Sequence, residues 1–400
     1  MPALQKATNR QTRLINQRLV LRTIFDDSPI SRAEIARRTG LTRTTISDVV
    51  EGLLESGLTE EIGPGQSTGG KAPILLRVPD EARHLIGIEV GDSLLTGAIV
   101  NLRGEIRGRV ELPLDGRDGD QALARLDTLI EKLLKSPRQP MLGIGIGTPG
   151  LIDTASGTVR WAVNLDWRDL ALGERLRQRW QLPVYVANDS HAAALGEHTF
   201  GGHEPSESMV VVKVGRGIGA GLVLNGHLYQ GEGSGAGEIG HSAIADNYRP
   251  CRCGSVGCLE TLASTRAVVL RARELAPHAP ESMLHRSSTT DGIDLADVKH
   301  AFEAGDDLAR EVVLDGARHL GRTIGSLIGT LSVRHVVLVG EMTRFGDPWL
   351  TAVRREAHRS ALALLADATR IEVGRLGSDL VLLGAAALLM TRELGLAPAR

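Results

Sequence analysis

The chain has 400 residues, 42% of them hydrophobic and 24% charged, a balance that predicts a globular protein of two or three domains. Its net charge of -2 excludes a polycation, so any nucleic-acid binding must come from a local basic patch. No apolar run reaches the roughly 20 residues that cross a bilayer, and polar residues from Gln5 to Arg13 interrupt any signal-peptide core. We therefore expect a cytoplasmic protein with no membrane partner.

The first 50 residues contain eight arginines and supply the local basic excess. Ser31 followed by Glu34 has the spacing of a capping box, and Thr42 is a second N-cap candidate, placed after a turn at Gly40. The helices predicted from these caps and from apolar spacing are Leu14–Phe25, Arg32–Arg38 and Arg43–Ser56.

This order of helices is typical of a helix-turn-helix, whose second helix enters the DNA major groove. Two short strands, Leu58–Ile62 and Ile74–Val78, follow it and indicate a winged version with a Gly-rich wing. Arginine pairs with guanine, and small hydroxyl side chains reach several base edges. The candidate DNA contacts are Arg32, Arg43, Thr44, Thr45, Ser47 and, in the wing, Lys71. The alternative interpretation is a small packing or dimerisation module.

Strands alternate with helices from residue 85 onwards, which predicts an α/β sheet with ligand-binding loops at the strand ends. The predicted strands include Leu85–Val90, Leu94–Asn101, Met141–Ile146 and Val184–Ala187. Asn188 and Asp189 stand where the last of these runs into a helix, so Asp189 either binds a ligand hydroxyl or caps the helix. Later helices are predicted from Thr261, after the cysteine-rich stretch, to Leu275, and at Leu295–Phe302, Asp307–Leu331, Pro348–Ala366 and Leu380–Leu394.

All three cysteines of the chain lie in the stretch Gly237–Glu260. They are Cys251, Cys253 and Cys258, and His241 lies ten residues before the first of them. Such crowding does not resemble a disulfide framework, and in a reducing compartment it favours metal binding. Buried thiols without a metal are the alternative.

Several motifs in this chain resemble those of the ROK family, which comprises repressors, open reading frames and sugar kinases. The matching motifs are IGTPGLID at 146–153, NLDW at 164–167, ANDSHAAALGE at 187–197, VGRGIGAGLVLNG at 214–226, GEIGH at 237–241, CRCGSVGCLE at 251–260 and LLGAAAL at 382–388. The resemblance implies an actin-like, ribonuclease H-like, two-lobed α/β domain over residues 80–400. Lobe I would span about 84–198 plus a returning C-terminal helix at 380–400, and lobe II about 199–379. The winged helix-turn-helix would span residues 1–79.

The resemblance also assigns roles to the Gly237–Glu260 stretch. It implies a zinc ion held by His241, Cys251, Cys253 and Cys258, which would be structural because four protein ligands leave no open position. The sugar contacts that it implies are Asn188, Asp189, Glu238, His241 and Glu260. Carboxylates and an amide suit polyols because each can bind two adjacent hydroxyls.

The nucleotide side departs from the family's kinases. Their Asp-x-Gly-Gly-Thr loop reads Glu89-Val90-Gly91-Asp92-Ser93 here, and their Gly-Thr-Gly loop reads Gly215-Arg216-Gly217. An acid in a phosphate cradle repels nucleotide, so Asp92 and Arg216 predict a sensor with a vestigial base, Asp189, rather than an enzyme.

The resulting hypothesis is a sugar-responsive transcriptional repressor that binds operator DNA as a homodimer or homotetramer. An ATP-dependent sugar kinase is the main alternative, because Asp189 is retained. A protein-binding scaffold with a vestigial site is a further alternative, and Arg216 could instead bind a sugar phosphate.

Overall fold

The computed structural model describes residues 8–66, 72–135, 140–204, 207–287 and 292–396. Its helices are α1 (Asn9–Asp27), α2 (Arg32–Thr39), α3 (Arg43–Glu55), α4 (Gly119–Leu134), α5 (Leu172–Trp180), α6 (Asp189–Phe200), α7 (Glu260–Ala263), α8 (Thr265–Leu275), α9 (Met283–Ser287), α10 (Leu295–Glu303), α11 (Asp307–Leu331), α12 (Gly346–Ser360), α13 (Ala363–Asp367) and α14 (Leu380–Leu394). None of the helices in these ranges has the length and apolar character that a membrane span requires.

The strands form four sheets. They are β1 (Ile30–Ser31), β2 (Glu60–Pro64), β3 (Ile74–Arg77), β4 (His84–Val90), β5 (Leu94–Val100), β6 (Ile106–Pro113), β7 (Met141–Thr148), β8 (Leu151–Asp153), β9 (Thr158–Ala162), β10 (Trp167–Leu170), β11 (Val184–Asn188), β12 (Met209–Val214), β13 (Ile218–Leu224), β14 (His227–Tyr229), β15 (His335–Val339) and β16 (Arg370–Val373). The first large sheet has the order β11-β7-β4-β5-β6, and the second has the order β14-β13-β12-β15-β16. Smaller sheets join β1-β3-β2 and β10-β9-β8.

The three predicted N-terminal helices are present as α1 to α3, and β2 and β3 form the antiparallel wing. Ser31 and Thr42 cap their helices as expected, each accepting a backbone N–H bond. The capping-box prediction is wrong in its second half. The Glu34 carboxylate binds the guanidinium groups of Arg37 and Arg38 instead of returning to the Ser31 backbone, because these cations lie on the same helix face. Lys71, which was predicted to lie in the wing, is outside the described residues.

Helices α6 and α14 lie side by side between the two large sheets. Helix α14 packs on β4 and β7 of the first sheet, and α6 packs on β12 and β13 of the second. The two helices approach so closely that a Cβ atom added to Gly384 would lie 1.7 Å from the Ala192 carbonyl oxygen. Glycine is therefore required where α6 and α14 cross. Because each helix packs on a different large sheet, this contact links the positions of the two sheets.

The N-terminal unit shares a buried core with the first sheet. Ile24 and Leu53 belong to the same apolar cluster as Leu85 of β4 and Leu389 of α14. Polar contacts reinforce this junction: the Arg18 side chain donates to the Arg392 carbonyl oxygen over 2.6 Å. Helix α14 therefore contacts both α6 and α1.

Two helix predictions differ from the structure. The segment predicted as one helix over Pro348–Ala366 is two, α12 and α13, because the chain turns extended at Ala361. The helix predicted to run from the cysteine-rich loop to Leu275 is likewise divided, since Ser264 is extended and caps α8. The predicted bounds of α11 and α14 are confirmed.

We predict that Gly384→Ala destabilises the protein by about 3 kcal/mol, because the added methyl group must separate α6 from α14. The matched control is Gly329→Ala in α11, where nothing lies within 4 Å of an added Cβ atom. That control should be neutral or stabilise by up to about 1 kcal/mol. Chemical denaturation followed by circular dichroism compares them, and equal stability of the two variants would contradict the packing argument.

Candidate functional site

Three thiols and one imidazole converge in the loop between β14 and α7. The Cys253 and Cys258 sulfur atoms are 3.7 Å apart, and the Cys251 sulfur atom is 3.7 Å from His241 Nδ1. All four ligand atoms lie within 4.8 Å of one another. A zinc ion with bonds of about 2.3 Å to sulfur in tetrahedral geometry needs ligand separations of roughly 3.8 Å. The four side chains therefore fit a tetrahedral zinc ion.

The loop is shaped by its own backbone before any metal is considered. Cys258 pairs with Ala243 in a short antiparallel bridge, and the Asn247 amide donates to the Cys258 carbonyl oxygen over 3.1 Å. Gly257 has a φ of +84°, and an added Cβ atom would lie 2.6 Å from the Asn247 carbonyl oxygen. These constraints bring cysteines from both ends of the loop to one point.

Burial, together with the neighbouring thiols of Cys253 and Cys251, raises the pKa of Cys258 to about 12. A thiol with such a pKa becomes a thiolate at neutral pH only if a cation stabilises it. A bound metal ion would supply that stabilisation and would release protons from the thiols. The donor set thus fits a structural metal and offers no position for a substrate.

Asn188 and Asp189 occupy the junction of β11 and α6, as expected. Asn188 is the N-cap: its side-chain oxygen accepts from the backbone N–H groups of Ser190 and His191, and its amide donates to the Gly150 carbonyl oxygen over 2.9 Å. Asp189 therefore does not cap the helix, which removes that alternative. Asn188 retains one amide hydrogen for a ligand.

Glu238, His241 and Glu260 lie together near Asp189. His241 Nε2 is 3.9 Å from a Glu238 carboxylate oxygen, while Nδ1 faces the thiols. Glu260 accepts a hydrogen bond of 3.1 Å from the backbone N–H of Ile218. Burial, followed by the charges of Asp189 and Glu260, raises the pKa of Glu238 to about 7. At neutral pH Glu238 can therefore donate or accept a hydrogen bond.

Sequence reasoning missed Lys213, whose ammonium is 2.6 Å from Asp189 and 4.0 Å from Glu89. Burial alone would raise the pKa of Asp189, but the Lys213 ammonium and hydrogen bonds from Ser190 hold it below its usual range. The available signal was a single lysine inside the apolar run Met209–Val214. A charged side chain in such a strand must face a partner.

Next to these acids a cleft of about 1600 Å³ opens between the two large sheets. Glu89, Asp92, Lys213 and Arg216 are among the residues that line it. Asp92 and Arg216, predicted as two separate departures, face each other with the carboxylate oxygen 4.0 Å from Arg216 Nε. Asp92 and Arg216 therefore meet across this cleft.

A second histidine and carboxylate group lies at the other end of the second sheet. His203, His335 and Glu372 place their ligand atoms within 4.8 Å of one another. The Glu372 carboxylate already binds Arg370 over 2.5 Å and His335 over 2.9 Å. These partners explain the cluster as a buried polar network without a metal.

The comparisons with known proteins follow this geometry. A family model described as "ROK family" matches residues 85–392, and one described as "Winged helix-turn-helix DNA-binding" matches residues 13–58. The chain belongs to the ROK family. Its ROK domain follows a winged helix-turn-helix, and the two large sheets form the actin-like fold that the family shares with sugar kinases.

Relatives of this ROK protein include regulators and kinases. A xylose repressor of Caldicellulosiruptor bescii is 33% identical over 381 residues, which cover 94% of this chain and 96% of the relative. A glucokinase of Halalkalibacterium halodurans is 33% identical over 317 residues, covering 78% of this chain and 96% of the relative. The crystal structure of a ROK family transcriptional regulator, a homologue of the E. coli MLC protein, superposes with a TM-score of 0.85 at 27% identity, covering 96% of this chain and 98% of that chain.

The DNA-reading surface of this ROK protein is uneven in its exposure. Arg43, Thr44 and Ser47 are exposed on the first turns of α3. The Thr45 hydroxyl is 2.9 Å from that of Thr42 and is partly used by the cap. Arg32 binds Glu61 of the wing over 2.9 Å. Of the described candidates, Arg43 is thus the cation whose side chain is exposed to solvent on α3.

We predict that Cys253→Ser removes zinc from the purified protein, because a hydroxyl is a much weaker zinc ligand than a thiolate. Elemental analysis should give one equivalent of zinc per chain before the change and little after it. Tyr248→Ser is the control, since Tyr248 lies in the same loop and is 82% exposed. Unchanged zinc content in Cys253→Ser would overturn the metal assignment.

Proposed function

We propose that this ROK protein is a sugar-responsive transcriptional repressor whose effector binds beside the zinc-pinned loop. The observation that carries the proposal is the convergence of Asp189, Glu238, His241 and Glu260 in a chain whose DNA-reading unit shares a core with the same fold. Repressors named for xylose and for N-acetylglucosamine are among its relatives, which supports a carbohydrate effector.

The chemistry of the candidate site suits a polyol. Asp189 and Glu260 offer carboxylate oxygens, Glu238 can donate or accept, and Asn188 has one amide hydrogen left. His241 would turn Nδ1 to zinc and Nε2 to a hydroxyl. The zinc would hold these groups in place without touching the sugar, as expected of a metal with four protein ligands.

The cleft argues against phosphoryl transfer. Kinases of this kind surround phosphate groups with backbone N–H groups and cations. Here the Asp92 carboxylate faces into the phosphate space and pairs with Arg216, so bound nucleotide would meet negative charge. We therefore propose a sensor without enzymatic activity. The kinase alternative rests on Asp189 and on the glucokinase relative.

Operator binding would follow from the N-terminal unit. We propose residues 1–79 as the DNA-binding domain and residues 80–400 as the ROK domain, whose lobes are built on the two large sheets. The side chains that would face base edges are those of Arg43, Thr44, Thr45 and Ser47. The DNA backbone would be contacted by Arg32 and Lys71. An inverted-repeat operator calls for two copies, so we propose a homodimer or homotetramer in the cytoplasm.

Helix α14 offers a route from sugar to DNA. Its first residues, Leu380 and Val381, line the cleft, and its last turn contacts α1 through Arg392 and Arg18. A change in the angle between the two sheets would move α14 together with α6 and so displace the N-terminal DNA-binding unit. The sugar would lower operator affinity to the extent that it prefers the closed angle.

We predict that Glu238→Gln abolishes the response to sugar while operator binding persists. The neutral amide cannot offer two acceptor oxygens, so sugar affinity should fall by at least tenfold. Electrophoretic shift of the chain's own promoter DNA, with and without D-xylose, D-glucose or N-acetylglucosamine, measures both properties. Glu232→Gln, an exposed carboxylate nearby, is the matched control. Failure of the wild-type protein to bind promoter DNA would contradict the proposal.

For Arg43→Ala we expect the opposite result, a loss of operator binding with sugar binding retained. Loss of a guanidinium from the recognition helix should weaken operator binding by about 10- to 100-fold, equivalent to about 1–3 kcal/mol, and leave sugar binding intact. Calorimetry with the sugars measures the second property. Arg355→Ala on α12, an exposed arginine far along the chain, controls for the loss of one positive charge.

Incubation with Mg-ATP and the same three sugars separates the sensor from the kinase. We expect no sugar-dependent ADP release, because Asp92 repels the phosphates and Lys213 neutralises Asp189. Steady turnover that disappears in Asp189→Asn would establish the kinase and remove the proposal of a sensor without activity.

A further inference from the structure

Lys213 is one of only six lysines in the chain and is the next-to-last residue of β12, between Val212 and Val214. Side chains alternate along a strand, so Lys213 faces the side opposite to the fully buried Val212 and Val214. On that side its ammonium lies 2.6 Å from an Asp189 oxygen. An ammonium this deep is stable only when it is paired.

The partners of Lys213 belong to the other half of the fold. Glu89 is the next-to-last residue of β4, and Asp189 directly follows β11. Both strands belong to the first large sheet, whereas β12 lies in the second. The ammonium therefore joins the two sheets across the floor of the cleft. The Arg216 and Asp92 pair makes a second, looser link above it.

The charges around this point are unbalanced without Lys213. Four carboxylates act on it or on its partner: Glu89, Asp92, Asp189 and Glu238. Burial lowers the pKa of Lys213, but the charges of Asp189 and Glu89 more than reverse this, so the side chain stays an ammonium. Burial raises the pKa of Glu89 despite Lys213. Asp189 is consequently the acid that the ammonium keeps ionised.

We propose that Lys213 is a positioning residue for the sugar. Its ammonium holds Asp189 as a fixed hydrogen-bond acceptor and takes the place of the cations of a phosphoryl-transfer site. The inference rests on the proposed sugar-binding function. Lys213 occupies one oxygen of Asp189, and the Ser190 hydroxyl is 3.3 Å from the other. The remaining lone pairs can accept from a sugar hydroxyl.

The same ion pair makes Asp189 a poor proton acceptor. A general base works best when its pKa lies near the working pH. The carboxylate held by Lys213 has its pKa depressed instead, so it binds a hydroxyl without removing its proton. Sugar recognition is thereby separated from the activation of the sugar for transfer, and it does not require a nucleotide or the metal ion that accompanies one.

The test compares Lys213→Met, which keeps length but removes charge, with Lys213→Arg, which keeps the charge. Calorimetry with D-xylose, D-glucose and N-acetylglucosamine should show at least a tenfold loss of affinity in Lys213→Met and substantial retention in Lys213→Arg. Operator binding without sugar should persist in both, which shows that the fold is intact. Equal affinities of Lys213→Met and the wild-type protein would overturn the role.

The pH profile separates positioning from simple packing. In the folded wild-type protein the pKa of Asp189 is depressed. The Asp189 carboxylate therefore stays ionised as the pH falls below 7, and it is protonated only when the pH falls through that lowered pKa. Without the ammonium, burial raises this pKa, so Lys213→Met should lose affinity at a higher pH than the wild-type protein. Parallel profiles would contradict the proposal.

Amine labelling tests the ion pair without any sugar. Acetic anhydride should modify Lys213 at least tenfold more slowly than the exposed Lys132, as followed by peptide mass spectrometry. The isosteric Asp189→Asn should accelerate labelling of Lys213 and leave Lys132 unchanged. Unchanged protection in Asp189→Asn would refute the pairing. If the pairing holds and the wild-type protein binds none of the three sugars, the proposed function fails, and with it the positioning role.

Discussion

The crossing of α6 and α14 is the contact on which the rest of the structure depends. Gly384 lets the two helices approach within backbone contact, and each helix carries one large sheet on its outer side. This pair of helices positions the cleft, Asp189 at the start of α6, and the contact between the end of α14 and the N-terminal unit. A change that separates the two helices would therefore disturb both the cleft and the N-terminal unit.

Electrostatics then decides what the cleft can hold. Its acids would repel one another if they stood alone, and a nucleotide would add more negative charge. Lys213 and Arg216 instead provide fixed cations from the second sheet for Asp189 and Asp92 of the first. Asp189 and Asp92 are thus each paired with a cation that the chain itself supplies, whereas a phosphoryl-transfer site draws cations from its metal ions and negative charge from its nucleotide.

Much of this arrangement was predictable from sequence, for identifiable reasons. The helix caps at Ser31 and Thr42 and the closely spaced cysteines are local signals. They were enough to predict α2, α3 and the Cys and His cluster that could hold a metal. The pairing of Asp92 with Arg216 was not predictable, because residues 124 positions apart meet only through the arrangement of the sheets. Lys213 was hidden in an apolar strand, where its role depends on what faces it. Strand β13 was recognised only as part of the motif at 214–226, and β12 was not predicted.

The core shared by α1, α3, β4 and α14 has a further consequence for how such regulators diversify. Cutting the chain after the wing would expose Val20, Ile24 and their neighbours to water, so the reader is not a freely exchangeable cassette. A lineage that acquires a new operator is therefore expected to do so by changing the few solvent-facing side chains of α3, with the scaffold beneath them inherited intact.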